Sequence, residues 1–205
     1  MKFSRRSCPI LFFMLAAAVL AGCARTQPSR FYVLTAVAEA ENPVTGDFTR
    51  NGKTIGVGPV EIPSYLDRPQ IVTRTGPHEI ELAEFDKWAG TLKENTTTVL
   101  AENLSTLLTT DQVHVFPWRT GVSIRYQVTV QILRFDAVPD EGVALDAHWV
   151  ILGDDGRRML LMRGSRIRQP VLETGYNGIV AAESLALGKL SRDIAAALQN
   201  LSAEG

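Results

Sequence analysis

Two stretches of strict alternation constrain this chain most. Ile124, Tyr126, Val128, Val130 and Ile132 alternate with Arg125, Gln127, Thr129 and Gln131. Val143, Leu145, Ala147, Trp149 and Ile151 repeat the pattern. Successive strand side chains point to opposite faces, so each stretch predicts a strand with one buried and one wet face. Such a sheet needs a cover on one side only, and the helical periods supply it. Leu92, Thr96, Val99, Leu100, Leu104, Leu107 and Leu108 form one apolar stripe, predicting a helix from Thr91 to Thr109. Leu187, Leu190, Ile194, Leu198 and Leu201 form a second, on a helix from Asn177 to Leu201. Gly188 and several alanines suit that helix to close packing.

The remaining strands are shorter. Arg30 to Leu34 is rich in aromatic and branched residues and reads as a first strand. Ala36 to Lys53, with Asn42-Pro43, Gly46 and Gly52, reads as a loop. Ile55, Val57, Val60 and Ile62 carry a second strand, interrupted or bulged at Gly58-Pro59. Ile71 to Arg74 and Glu79 to Leu82 predict short strands around a Gly76-Pro77 turn. Val113 to Trp118 is a strand ended by Pro117, and Asp155-Gly156 marks a hairpin leading into Met159 to Met162. The fold class is therefore α+β. A largely antiparallel or mixed sheet of about six strands carries two long amphipathic helices on one face.

The N-terminus has a different logic. Lys2, Arg5 and Arg6 precede an apolar run from Pro9 to Leu20, which ends in Leu20-Ala21-Gly22-Cys23. That order is a secretory signal, and the run is too short to span a bilayer of about 30 Å. The last four residues resemble the lipobox of bacterial lipoproteins. The resemblance implies cleavage after Gly22 and lipidation of Cys23, with fatty acyl groups such as palmitate. Ala24, rather than Asp, follows the cysteine; by the bacterial sorting rule this implies the outer membrane. Arg5-Arg6 lacks the downstream pattern of twin-arginine export, so general secretion is expected.

The chain then divides into a signal peptide (1–22), a lipidated tether (23–29) and one periplasmic domain (30–205). A tether of about six extended residues reaches no more than about 20 Å, which keeps that domain near the membrane. Removing the signal's three cations from a net charge of −1 leaves −4, which speaks against nucleic acid as a partner. Of the two cysteines, Cys8 leaves with the signal and Cys23 is the lipid site, so no disulfide is expected.

Catalytic signatures are missing. Gly56-Val57-Gly58 begins a dinucleotide fingerprint, but Pro59 follows and a strand continues where a helix is required. His78, His114 and His148 have no His or Cys partner at ligand spacing. No Gly-x-Ser-x-Gly elbow is present. Asp136, Asp140 and Glu141 flank Pro139 and read as a solvated turn. No metal, no cofactor and no enzyme activity are expected.

Two surface features carry double readings. Arg157, Arg158, Arg163, Arg166 and Arg168 form a basic stripe on an acidic domain. It is either a solvated, aggregation-resistant edge strand or a surface for an acidic partner or anionic head groups. Tyr65-Leu66-Asp67-Arg68 lies between Pro63 and Pro69. It is either a corner whose Tyr65 and Leu66 plug the core, or a partner-docking loop. Tyr65, Leu66, Asp67, Arg68, Arg158, Arg166 and Arg168 are the candidate partner-binding residues.

From Val57 onward the chain resembles the auxiliary lipoproteins of ABC-type lipid transport systems, the PqiC/YmbA-like group. The resemblance rests on the run from Val60 to Arg74, on Leu82-Ala83-Glu84-Phe85 leading to Lys87-Trp88-Ala89, and on Val99 to Ser105 within the first helix. Gly90-Thr91 departs from the acidic or serine residue and proline common in the group, so a different helix cap is expected. The resemblance implies a fold like the N-terminal domain of TolB. It also implies a periplasm-facing auxiliary subunit that works beside an MCE-domain protein in lipid transport and supports membrane integrity. Self-association into a ring is compatible with the group. The alternatives from other classes are a lipid-binding carrier and a hydrolase with an unrecognised site.

Overall fold

The two alternating stretches become the centre of one mixed sheet, because each can bury one face only against helices. The computed structural model describes residues 27–37, 48, 53–138 and 141–203. In chain order the strands are β1 (Arg30–Tyr32), β2 (Ile55–Glu61), β3 (Gln70–Arg74) and β4 (Ile80–Trp88), then β5 (Val113–Val115), β6 (Tyr126–Val138), β7 (Gly142–Gly153) and β8 (Arg158–Gln169). The helices are α1 (Leu92–Leu108), between β4 and β5, and α2 (Gly175–Ala203), after β8. The signal run and Cys23 lie outside the described residues, as does most of the Ala36 to Lys53 loop.

β6 organises the sheet. One edge pairs antiparallel with β7 from Gln127↔Leu152 to Val138↔Gly142, and β7 pairs antiparallel with β8. β6 also runs parallel to β2 over its first half and meets β3 at Thr73↔Ala137. β5 flanks β2, and β4 and then β1 flank β3. Each of the eight strand segments read from the sequence forms a strand, so the sheet is larger than the round figure of six. β4 and β8 also run well past the expected Leu82 and Met162. The cause is tertiary: Asp86-Lys87-Trp88 is held extended by β1, and Arg163 to Gln169 by β7, although neither segment alternates cleanly. The Gly58-Pro59 interruption is a register shift between Val57 and Val60.

Both helices cover one face. α1 packs on β2 and β5, α2 packs on β6, β7 and β8, and the helices touch each other. Between them and the sheet lie Leu100, Leu104, Leu187, Leu190, Ile194 and Leu198, against Ile55, Val128, Phe135, Leu145 and Trp149. α1 is capped by Thr91 despite its unusual Gly90-Thr91 entry. Thr91 Oγ1 accepts from Glu94 N at 3.1 Å, and Glu94 Oε2 accepts from Thr91 N at 3.3 Å, a capping box.

The chain after β1 lies as an extended strap across both helices. Leu34 N donates to Asn95 Oδ1 at 3.3 Å, Thr35 N to Ser184 Oγ at 3.1 Å and Val37 N to Asn103 Oδ1 at 3.1 Å. Backbone amides with no strand partner are thus satisfied by helix side chains. Gly188 is required by this strap, since a Cβ there would stand 2.8 Å from Val37 Cγ2.

Candidate functional site

The sheet face turned away from the helices carries the chain's densest polar chemistry, and a bulge in β6 creates it. The pairing with β7 shifts register between Ile132 and Arg134, which extrudes Leu133. Beyond the bulge Phe135 and Ala137 face the helices, so Arg134 and Asp136 face outward. Asp136 nevertheless has 0 % exposure. Arg134 Nε reaches its Oδ1 at 2.9 Å, and Arg74 Nη2 reaches Oδ2 at 3.2 Å. The Tyr65 hydroxyl donates to Oδ2 at 2.9 Å. The reading of Asp136 as part of a solvated turn is therefore wrong. Pro139 and Asp140 lie outside the described residues, Glu141 is exposed, and the strand continues through Asp136 because β7 pairs with it as far as Gly142.

The Tyr65 corner closes over this carboxylate. Leu66 is 2 % exposed and belongs to the core, which removes it from any surface role. Tyr65 is partly buried and packs against the core. Burial, and then the Asp136 carboxylate, push its phenol up to about 12. Asp67 is exposed, and Arg68 is partly so, with a buried Nε that has no partner among the described residues. The corner thus plugs the sheet with Tyr65 and Leu66 and presents Asp67 and Arg68 outward. Tyr65→Phe should cost about 1–2 kcal/mol of stability, since a hydrogen bond to a charged acceptor is lost. Urea melts check this, and an unchanged midpoint would refute the role assigned to the hydroxyl.

The arginine stripe lies on and just before β8, an edge strand paired only with β7. Its members differ in occupation. Arg158 Nε pairs with Asp154 at 3.0 Å, four residues away. Arg168 grips Asp146 with both terminal nitrogens, at 2.7 and 3.3 Å. Arg157 Nε donates to the Asp154 carbonyl. Arg163 and Arg166 are exposed and make no ion pair or hydrogen bond among the described residues. The stripe is therefore not uniformly available charge. The Tyr65 corner and the far half of β8 meet on one face, because Asp136, Ala144 and Arg168 form one cross-strand row.

No group of three His, Cys, Asp or Glu side chains among the described residues converges to hold a metal ion. His78 and His148 are exposed and His114 is partly so. Sequence reasoning missed Asp86 of β4, held by Arg30 and Tyr32, and the more deeply buried Glu183 of α2. Glu183 is 1 % exposed, and its Oε2 has no hydrogen-bond partner among the described residues. Burial raises its carboxyl well above the usual range, and the Asp136 carboxylate adds to the shift. Its position on the buried side of the α2 stripe, four residues before Leu187, was the available signal.

The comparisons with known proteins agree with this architecture. Residues 32–195 match the family model of the ABC-type transport auxiliary lipoprotein component. This chain belongs to that family. The match runs from the end of β1 into α2, so it takes in the strap, the corner and the outer face of the auxiliary lipoprotein. A crystal structure of a Xanthomonas campestris protein superposes with a TM-score of 0.69 at 15 % identity, covering 83 % of this chain and 95 % of that one. A crystal structure of an uncharacterized protein gives 0.68 at 19 % identity, covering 84 % and 99 %. At those identities the likeness is one of fold. No curated protein matches the chain. Among the described residues, no helix of the lipoprotein is long and apolar enough to cross a membrane.

Proposed function

We propose that this auxiliary lipoprotein is a non-enzymatic docking component of an MCE-type intermembrane lipid transport system, anchored by lipid at Cys23 in the outer membrane and facing the periplasm. The observation that carries the reading is the family match over residues 32–195, joined to the Leu20-Ala21-Gly22-Cys23 signal ahead of it. Docking falls to the polar groups the fold leaves outward: Asp67 and Arg68 at the corner, and Arg158, Arg166 and Arg168 on β8. Tyr65 supports them from below through its bond to Asp136. Such groups govern partner choice and encounter rate more than affinity.

A photo-crosslinker at position 67 in the intact envelope tests this. The expected product is a covalent adduct with an MCE-domain protein. The adduct should fade when Arg68→Glu is added, and labelled fatty acid should be lost in Cys23→Ser. Adducts formed only with unrelated envelope proteins would defeat the docking assignment. Fatty acid retained by Cys23→Ser would defeat the anchoring.

A further inference from the structure

Beside the buried Asp136, the outer face of β6, β7 and β8 opens into a groove of about 580 Å³. Its lining includes Leu133, Arg134, Asp146, His148, Gly164 and Arg166. We propose that this groove binds a phosphate group, carried either by a lipid headgroup or by a small soluble phosphoester. The inference shares Arg166 with the docking role but does not depend on an MCE partner.

Charge supplies the first argument. The face gathers the guanidiniums of Arg74, Arg134, Arg166 and Arg168 against the carboxylates of Asp136 and Asp146. Glu141 also acts on Arg168, so one positive charge is left over, on a mature chain whose net charge is −4. The carboxylate in the groove is already occupied, since Arg168 holds both Asp146 oxygens. Arg166 is left exposed and without an ion pair or hydrogen bond among the described residues. An uncompensated guanidinium in a concavity attracts a planar or tetrahedral oxyanion, which it binds through two parallel N–H donors.

Preorganisation supplies the second argument. Arg134 is tethered by the buried Asp136 at 2.9 Å, so its rotamer is set before any ligand arrives. Gly164 keeps the floor open, because a Cβ there would stand 3.2 Å from His148 Cδ2. His148 sits opposite Gly164 in the pairing of β7 and β8, and its side chain makes no hydrogen bond among the described residues. Leu133, extruded by the bulge, adds an apolar lining side chain that is 45 % exposed. Cations lining the groove beside an exposed leucine match an anionic head attached to a greasy body.

The stripe itself argues for a compact anion over an acidic chain. An extended acidic segment needs a run of free cations, but Arg158 and Arg168 are already paired with Asp154 and Asp146. Arg163, also unpaired, lies in register with Trp149 on the opposite side of β8, so the free stripe cation on this face is Arg166, beside the groove.

The test uses the mature lipoprotein in a non-ionic detergent. The probes are inorganic phosphate, glycerol 3-phosphate, dihexanoyl phosphatidylglycerol below its micelle concentration, and hexaglutamate. Binding is read by calorimetry and by the amide resonances of Gly164 and Arg166. At least one phosphate probe should bind, and Arg166→Gln should weaken it by about tenfold or more. Gly164→Val, which fills the floor without altering charge, should do the same. Arg163→Gln, on the same strand but outside the groove, should bind as the parent does. Arg166→Gln should keep the parent melting temperature, because the Arg166 side chain makes no ion pair or hydrogen bond among the described residues.

Tighter binding of the lipid probe than of glycerol 3-phosphate assigns the site to a headgroup. Equal or weaker binding assigns it to a soluble phosphoester; either result supports a phosphate site. Hexaglutamate binding without phosphate binding overturns the proposal. So does the absence of any phosphate binding at about 10 mM, or phosphate binding that survives both groove variants.

Discussion

Asp136→Ala should lower the stability of this lipoprotein by about 3 kcal/mol, the low end of the range for breaking a buried ion pair. One carboxylate with no exposure balances two guanidiniums and accepts the Tyr65 hydroxyl. Removing it leaves the positive charges of Arg74 and Arg134 beside each other without compensation. The loss stays at the low end because those side chains keep 19 % and 26 % exposure, so water relieves part of the repulsion. For a chain of this size, about 3 kcal/mol corresponds to a fall in Tm of roughly 6–12 °C. The pairing can also be removed as a unit. The triple variant Asp136→Leu, Arg74→Met, Arg134→Leu should cost less than Asp136→Ala alone, since no orphan charge remains. A single variant melting within about 2 °C of the parent would refute the hub. A triple variant less stable than the single would show that packing, not charge balance, dominates there.

Glu183 should act in the opposite direction, so that replacing it stabilises the protein. The side chain is buried in α2 with an unpartnered oxygen, and Asp136 is the charge that acts on it. Burial of a polar group without its hydrogen bond costs about 1–3 kcal/mol, so Glu183→Met should recover about that much at neutral pH. Methionine has similar length and fills irregular space in a helix-facing core. The pH dependence has a definite sign. A carboxyl raised in the folded state holds its proton more tightly there than in the unfolded chain. The fold is therefore favoured at low pH and loses that advantage as pH rises through the usual carboxylate range and on to the raised value. Glu183→Gln cannot ionise, so its stability advantage over the parent should be small near pH 4 and grow towards neutral. Denaturant melts at several pH values measure this. A constant difference across that window, or a destabilised Glu183→Met at pH 7, would contradict a buried carboxyl raised above its usual range. Tyr65 adds a parallel loss at alkaline pH. Its phenol is raised to about 12, so its contribution is complete below about pH 10 and declines above it.

Both effects arise at residues whose burial is not legible from their own neighbourhood in the sequence. Asp136 sits three residues before Pro139 among other acids, a local pattern that fits an exposed turn equally well. Its burial depends on Tyr65 and Arg74, 71 and 62 residues away. Glu183 lies on the buried side of α2, which the apolar stripe from Leu187 already indicated, but a single acid in a helix is ordinarily solvent-facing.

What the linear pattern determined by itself is the set of elements with a one-sided apolar face. β6, β7 and the two helices were legible because periods of 2 and 3.6 act within one segment and need no partner to be read. The hairpin at Asp155-Gly156 was legible because the residue preferences of a tight turn are local. The tertiary structure alone decided three things: how far β4 and β8 extend, where the strap after β1 runs, and that one bulge turns Arg134 and Asp136 to the outer face on which Arg166 of β8 lies. Each depends on which segment pairs with which. Strand pairing is settled by hydrogen bonds and charges contributed from distant parts of the chain, and local periodicity carries no record of them.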